Sequence, residues 1–146
     1  MTQRTVYQSM PRRLLVSLPP SASVHEAACV MTRANCGSVL VVGAGTQLLG
    51  IVTERDLMTR VVAKAVDPSK TTLASVMTPN PRCIGPNTKV EDAVLIMLER
   101  GFRHLPVVGE GNTLLGVFSA RDALPREIGA AVSLAEFNEQ VNDALG

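Results

Sequence analysis

The chain has 146 residues and a formal charge of +1 from 14 basic and 13 acidic side chains, so no global field draws it to nucleic acid or to an anionic membrane surface. Hydrophobic residues make up 46% of it and aromatic residues 3%, with no tryptophan, which argues against the stacking surfaces of single-strand binders and requires an aliphatic core. The length fits one domain or two small, closely packed ones, and apolar runs such as "SVLVV" and "LLGIV" fall far short of the roughly 20 residues that cross a bilayer.

The start, "MTQRTVYQSMPRRLL", lacks the apolar stretch of a secretory signal, so the expected location is the cytoplasm. Cys29, Cys36 and Cys83 form no C-x-x-C pair and read as reduced, packed thiols. In chain order, "LLVSL" predicts an opening strand. A helix follows, with Val24, Ala27, Ala28 and Met31 on one face and Ser23-x-x-Glu26 as a capping box at its start. Two strands then flank Gly43-x-Gly45, read as a hairpin turn: Leu48 stands where a dinucleotide fingerprint needs its third glycine, and a strand-like run stands where it needs a helix. The phrase "GIVTERD", Gly50 to Asp56, leads into a second helix, and "AVDPSKTT" has the composition of a surface connection.

The pattern then recurs. "GVFSARD", Gly116 to Asp122, lies 66 residues after its counterpart, and 12 of the 35 pairs between Val24–Met58 and Val90–Leu124 are identical without a gap. Each copy therefore reads β-α-β-β-α, the second with "RCI" as opening strand, Val90, Ala93, Val94 and Met97 as the apolar helix face, and Thr88-x-x-Glu91 as a capping box one residue out of register. Such a unit is marginal alone. The expected fold is α/β (α+β): two repeats at 10–66 and 76–128, joined by 67–75 and packed with pseudo-twofold symmetry so that each covers the other's sheet. At 129–146, Ser133-x-x-Glu136 with Leu134, Phe137, Val141 and Leu145 on one face predicts an amphipathic helix that docks on the module or on a partner subunit.

The repeated phrase carries the chemistry. Thr53 with Asp56, and Ser119 with Asp122, taken alone are helix-capping boxes. Arg55 and Arg121 sit in the first helical turn, where the macrodipole disfavours a cation; an anion visiting the helix start would explain them, as would a local ion pair with Asp56, Asp122 or Glu54. A carboxylate suits a ribose diol, while hydroxyl, N–H groups and arginine suit a phosphate, and together they describe a nucleotide.

On "GIVTERDL", "GVFSARDAL", "SVMTPNP" and "GFRHLPVV", the chain resembles tandem cystathionine-β-synthase (CBS) domain proteins, or Bateman modules, over about residues 10–128. The resemblance implies two clefts between the copies that bind AMP, ADP or ATP, in some members NADH or S-adenosylmethionine, and a homodimeric disc of four repeats. It assigns Asp56 and Asp122 to the ribose, Thr53 and Ser119 to the phosphate side, and Ile51 and Val117 to the nucleoside. Arg103-His104 matches a basic pair that faces phosphates, and Gly37-Ser38 replaces it in the first copy. If Arg103 and His104 face the cleft beside their own Asp122, that cleft is the tighter one for phosphorylated ligands; because the clefts lie between copies, they can instead serve the other. His104 otherwise reads as a strand-start histidine bonded to a carbonyl, and His25 as surface.

No enzyme constellation emerges. The serine of "VFSAR" lacks the glycines of a nucleophile elbow, and the cysteines and histidines lack metal-ligand spacing. The expected role is regulatory: a nucleotide entering a cleft changes the surface offered to an unidentified partner protein. The rival readings are a ligand-free dimerisation scaffold and a small enzyme using NADH or S-adenosylmethionine.

Overall fold

The computed structural model describes residues 3–10 and 15–145. The two-repeat α/β architecture is present, and its internal symmetry is close. Helices α2 (Val24–Ala34) and α5 (Val90–Arg100) are displaced by 66 residues, as are the hairpins β2 (Ser38–Val42) with β3 (Leu48–Thr53) and β5 (His104–Val108) with β6 (Leu114–Ser119). The registers match too, since Leu40 pairs with Ile51 where Pro106 pairs with Val117. Both hairpins turn through a glycine in the left-handed region, Gly45 at φ 67° and Gly111 at φ 64°, which is why the G-x-G spacing belongs to a turn.

Alternation along the strands builds the two cores. Val39, Val41 and Val52 pack under α2 with Ala27 and Met31, while Leu105, Val107 and Phe118 pack under α5 with Ala93 and Met97. Leu40 and Ile51 are also buried, but by the period of two they lie on the opposite sheet face, the face turned to the other copy.

Packing crosses the sequence order. The short helix α4 (Leu73–Val76) fills the first core, and its N-terminal counterpart α1 (Val6–Ser9) fills the second. Ser23 bridges to Thr72 as Lys89 bridges to Thr5. This explains the helix starts. Ser23 Oγ accepts the Glu26 N–H, as its sequence suggests, but α5 is capped at Lys89, not Thr88. The Val90 N–H donates to the Arg4 carbonyl at 3.0 Å as the Val24 N–H donates to the Thr71 carbonyl at 2.9 Å, so the 66-residue register is kept and the Thr88 capping box is not formed.

Three other expectations are corrected. The opening strand of the first copy is Ser17–Leu18, called β1, parallel to β2; Leu14 lies outside the described residues. "RCI" forms no strand, only a single bridge from Ile84 to Val107, with the Ile84 N–H donating to the Pro106 carbonyl at 3.0 Å and the Ile84 carbonyl accepting the Val108 N–H at 2.9 Å. After β3 the helix α3 (Glu54–Leu57) continues into a π-helical turn, Met58–Val62. After β6 there is only a 3-10 turn, Ala120–Asp122, and α6 (Pro125–Leu145) then starts afresh. Pro125 pushes the preceding backbone out of the helical region and serves as the first helical residue. No breaker follows, so α6 runs unbroken past Ser133, and the expected cap there is absent. Strand β4 (Thr78–Pro79) closes the first sheet beside β3.

Candidate functional site

Both copies present their repeated phrase at the same place, where the hairpin ends and a helical turn begins. Asp56 Oδ2 accepts the Thr53 N–H at 2.9 Å, and Thr53 Oγ1 accepts the Asp56 N–H at 3.4 Å. In the second copy Asp122 Oδ2 accepts the Ser119 N–H at 3.0 Å, and Ser119 Oγ accepts from Arg121 N at 3.3 Å. The capping reading is therefore correct as far as it goes. It occupies one oxygen of each carboxylate; Asp56 Oδ1 lies 3.8 Å from Arg60 Nε.

The sheets face each other and enclose two unequal cavities at the copy boundary. The larger, about 860 Å³, combines Ile51, Thr53, Arg55 and Asp56 of the first copy with Gly101 to His104 of the second, and is flanked by Thr78, Pro81 and Arg82. The smaller, about 290 Å³, combines Val117 and Asp122 with Asn35 to Ser38 of the first copy, and Met10 forms part of its wall. His104, Ser119 and Arg121 line both.

Arg103 thus faces the cavity of Asp56, not that of its own Asp122. Its carbonyl accepts the Ala120 N–H within the second copy, but its position before β5 carries the side chain across the boundary. The reading that makes the Asp122 cleft the more basic is overturned. The larger cavity has Arg55, Arg82, Arg103 and Arg121 against Glu54 and Asp56, while the smaller has Arg121 against Asp122.

Neither repeated arginine forms the local ion pair weighed above among the described residues. Arg121 Nη2 donates instead to the Asn35 carbonyl at 3.1 Å. His104 is half-buried, and burial holds its pKa below the ordinary 6.5; Glu54 and Asp122 oppose the shift, and Arg103 and Arg121 reinforce it. Gly37 stands where the second copy has Arg103, and a Cβ there would meet the end of the Glu54 side chain, which would have to swing aside, and lie 3.1 Å from His104 Nε2.

Sequence reasoning missed Glu54, Arg82, Phe102 and Thr78 in the larger cavity. Thr78 lies in the quoted "SVMTPNP" with Arg82 just after it, but a copy-by-copy comparison gave no signal, because the segment matching 73–79 in the second core is the distant α1. No grouping of three or more potential metal ligands occurs among the described residues, and no described helix is long and apolar enough to cross a membrane.

Comparison with known proteins bears on the family and the fold. The family model described as "CBS domain" matches residues 8–63 and 73–127. A meiotically up-regulated gene 70 protein of Schizosaccharomyces pombe is 33% identical over 144 residues, covering 88% of this chain but 20% of that protein. Among solved structures, a CBS domain protein from Pyrobaculum aerophilum complexed with AMP is 25% identical with a TM-score of 0.78, covering 90% of this chain and 100% of the other. A hexameric CBS-CP12 protein from bloom-forming cyanobacteria is 27% identical with a TM-score of 0.76, over 84% and 67% of the two chains.

Proposed function

Because the chain belongs to the CBS-domain family and carries that domain twice, we propose that it is a regulatory module that binds an adenine nucleotide between its repeats and passes the signal to a separate protein. The observation that carries this reading is the larger cavity, where Asp56 and Thr53 of one copy meet Arg103 and His104 of the other. Its size lies within the range of small-molecule sites, roughly 300–1,000 Å³.

In that cavity Oδ1 of Asp56, the oxygen not used by the cap, accepts the ribose hydroxyls, Ile51 packs on the nucleoside, and Thr53, Arg55, Arg103 and His104 meet the phosphates. Arginine–phosphate bonds are charge-assisted and often bidentate, so AMP, ADP or ATP fits best, with NADH or S-adenosylmethionine as further ligands. The AMP bound to the P. aerophilum protein supports the adenine choice. The Asp122 cavity, with Ser119 and Val117 but no basic pair of its own, takes the less charged or weaker ligand.

The module pairs with a second copy. Met58 and Val62, one turn apart, are exposed with Val66 just beyond the helix end, and so are their 66-residue counterparts, Leu124 just before α6 and Ile128 and Val132 one turn apart on it. Two symmetry-related apolar stripes are what a disc of four repeats would bury. The hexameric cyanobacterial relative supports self-association.

A thermal-shift panel with AMP, ATP, NADH and S-adenosylmethionine tests the reading. A ligand at about 100 times its Kd adds roughly 2.7 kcal/mol of stability. The satisfied capping boxes favour one rival, a ligand-free scaffold, and the absence of any shift at millimolar ligand would establish it. Ligand consumed during incubation would support the enzyme reading.

A further inference from the structure

The two clefts differ in how their aspartates are held. Asp56 sits on a helix that continues through the π-helical turn, and Arg60 approaches its carboxylate from the next turn. Asp122 sits on a three-residue 3-10 turn that ends before Pro125, so beyond the Ser119 cap no continuing helix of its own copy holds it. Support arrives from the N-terminal segment. Arg4 Nη2 and Nε donate to Glu127 Oε1 and Oε2 at 2.7 and 3.0 Å, and Arg4 Nη2 also donates to the Asp122 carbonyl at 3.1 Å. The Glu127 carboxylate is buried and accepts the Leu124 N–H at 2.8 Å. One guanidinium thereby fixes the last residue of the site turn to the first turn of α6.

The same segment is bound elsewhere to the second copy. The Arg4 carbonyl accepts the Val90 N–H at 3.0 Å, the Val6 N–H donates to the Thr88 carbonyl at 2.8 Å, and the Val6 side chain is fully buried. Met10 then reaches the smaller cavity, and a Cβ on Gly116 would lie 2.7 Å from Met10 Cε. The segment forms part of that cavity's wall and holds its aspartate. In the first copy the position matching Arg4 is Thr71, whose hydroxyl bonds the Asp67 carbonyl nearby.

We infer that the N-terminal segment is a strap over the Asp122 cleft, with Arg4 as its positioning residue, so that docking of the strap and occupancy of this cleft are one coupled equilibrium. The inference rests on the nucleotide-binding reading for its ligand. Coupling is reciprocal: a nucleoside or nucleotide in the Asp122 cleft holds the strap down, and loosening the strap weakens that cleft more than the Asp56 cleft, which shares Ser119 and Arg121 with it but not Asp122 or Met10.

Hydrogen exchange on the full chain, with and without AMP, tests this with wild type, Arg4→Gln and Arg4→Lys. In wild type AMP slows exchange at 53–57, at 119–124 and in the strap, 6–10. In Arg4→Gln, ligand-free exchange at 119–124 rises by about tenfold or more, as loss of a charge-assisted pair implies. Its AMP protection at 119–124 falls more than that at 53–57. Arg4→Lys restores part of both, keeping the charge but not the two-pronged geometry. A lowered Tm in Arg4→Gln with unchanged exchange at 119–124 overturns the proposal and leaves Arg4 a stabilising residue only. If AMP protects neither cleft in wild type, the nucleotide reading fails, and the ligand-free comparison at 119–124 still decides whether the strap positions the turn.

Discussion

Arg121 of the second copy donates from Nη2 to the carbonyl of Asn35 in the first, 3.1 Å away. Asn35 ends α2 in the left-handed conformation, at φ 52°, so the guanidinium satisfies the exposed end of a helix whose dipole favours a cation. The repeated arginine therefore has a structural task in one copy. Arg55, its counterpart, lines the larger cavity. Arg121→Ala should lower the unfolding free energy by about 1 kcal/mol, and Arg55→Ala by less than about 0.5 kcal/mol, as read from urea denaturation. Equal losses would show that the two arginines share one role.

Arg103 faces the cavity of the opposite copy's aspartate, where the proposed nucleotide reading sets it against phosphate. Arg103→Ala should weaken AMP by roughly 10- to 100-fold, the size of a lost hydrogen bond to a charged group, and leave adenosine almost unchanged. Isothermal titration with both ligands measures the contrast; a similar loss for adenosine would remove Arg103 from the phosphate side.

His104 adds a pH dependence whose sign follows from its burial. Its folded pKa lies below the ordinary 6.5, so the unfolded chain takes up its proton first and stability from this group falls as pH drops below that ordinary value. A phosphate beside the imidazole favours the protonated form, adding to the pull of Glu54 and Asp122 against Arg103 and Arg121. AMP affinity should therefore rise as pH falls from 8 to 6, with proton uptake visible as a buffer-dependent binding enthalpy. His104→Asn should flatten both profiles. Affinity independent of pH in wild type would place His104 away from the ligand.

The apolar stripes give the assembly prediction. Val62 is among the most exposed of the apolar residues, and its counterpart in the second copy is Ile128. Val62→Glu would bury a charge in the paired disc and should weaken association on the order of 100-fold, giving monomers in analytical ultracentrifugation with the thermal midpoint little changed. Pairing that survives both Val62→Glu and Ile128→Glu would move the interface elsewhere, with the exposed Leu134, Phe137, Val141 and Leu145 of α6 as the remaining apolar stripe.

Much of the fold was legible because the repeat is local: helix α2 and its hairpin are spelled out in one run of residues, and the 66-residue shift transfers them to α5 and its hairpin. The site was legible by residue type, since Thr53, Asp56, Ser119 and Asp122 sit where a strand meets a helical turn. What failed to show was anything set by how the copies face each other. Arg103 crossing to Asp56, Arg82 joining the larger cavity and α1 completing the distant core are long-range contacts without a periodic signature. The break before α6 is written in Pro125, which acts on its own preceding residue and has no counterpart at that place in the first copy, so the repeat does not signal it.

The larger, more basic cavity belongs to Asp56. Titration of AMP into Asp56→Asn and Asp122→Asn by calorimetry tests the proposed ribose role most directly, because each substitution removes the carboxylate charge while keeping the size of the side chain. Loss of the tighter binding event in Asp56→Asn, with that event retained in Asp122→Asn, is the predicted result. Retention in Asp56→Asn with loss in Asp122→Asn would contradict it.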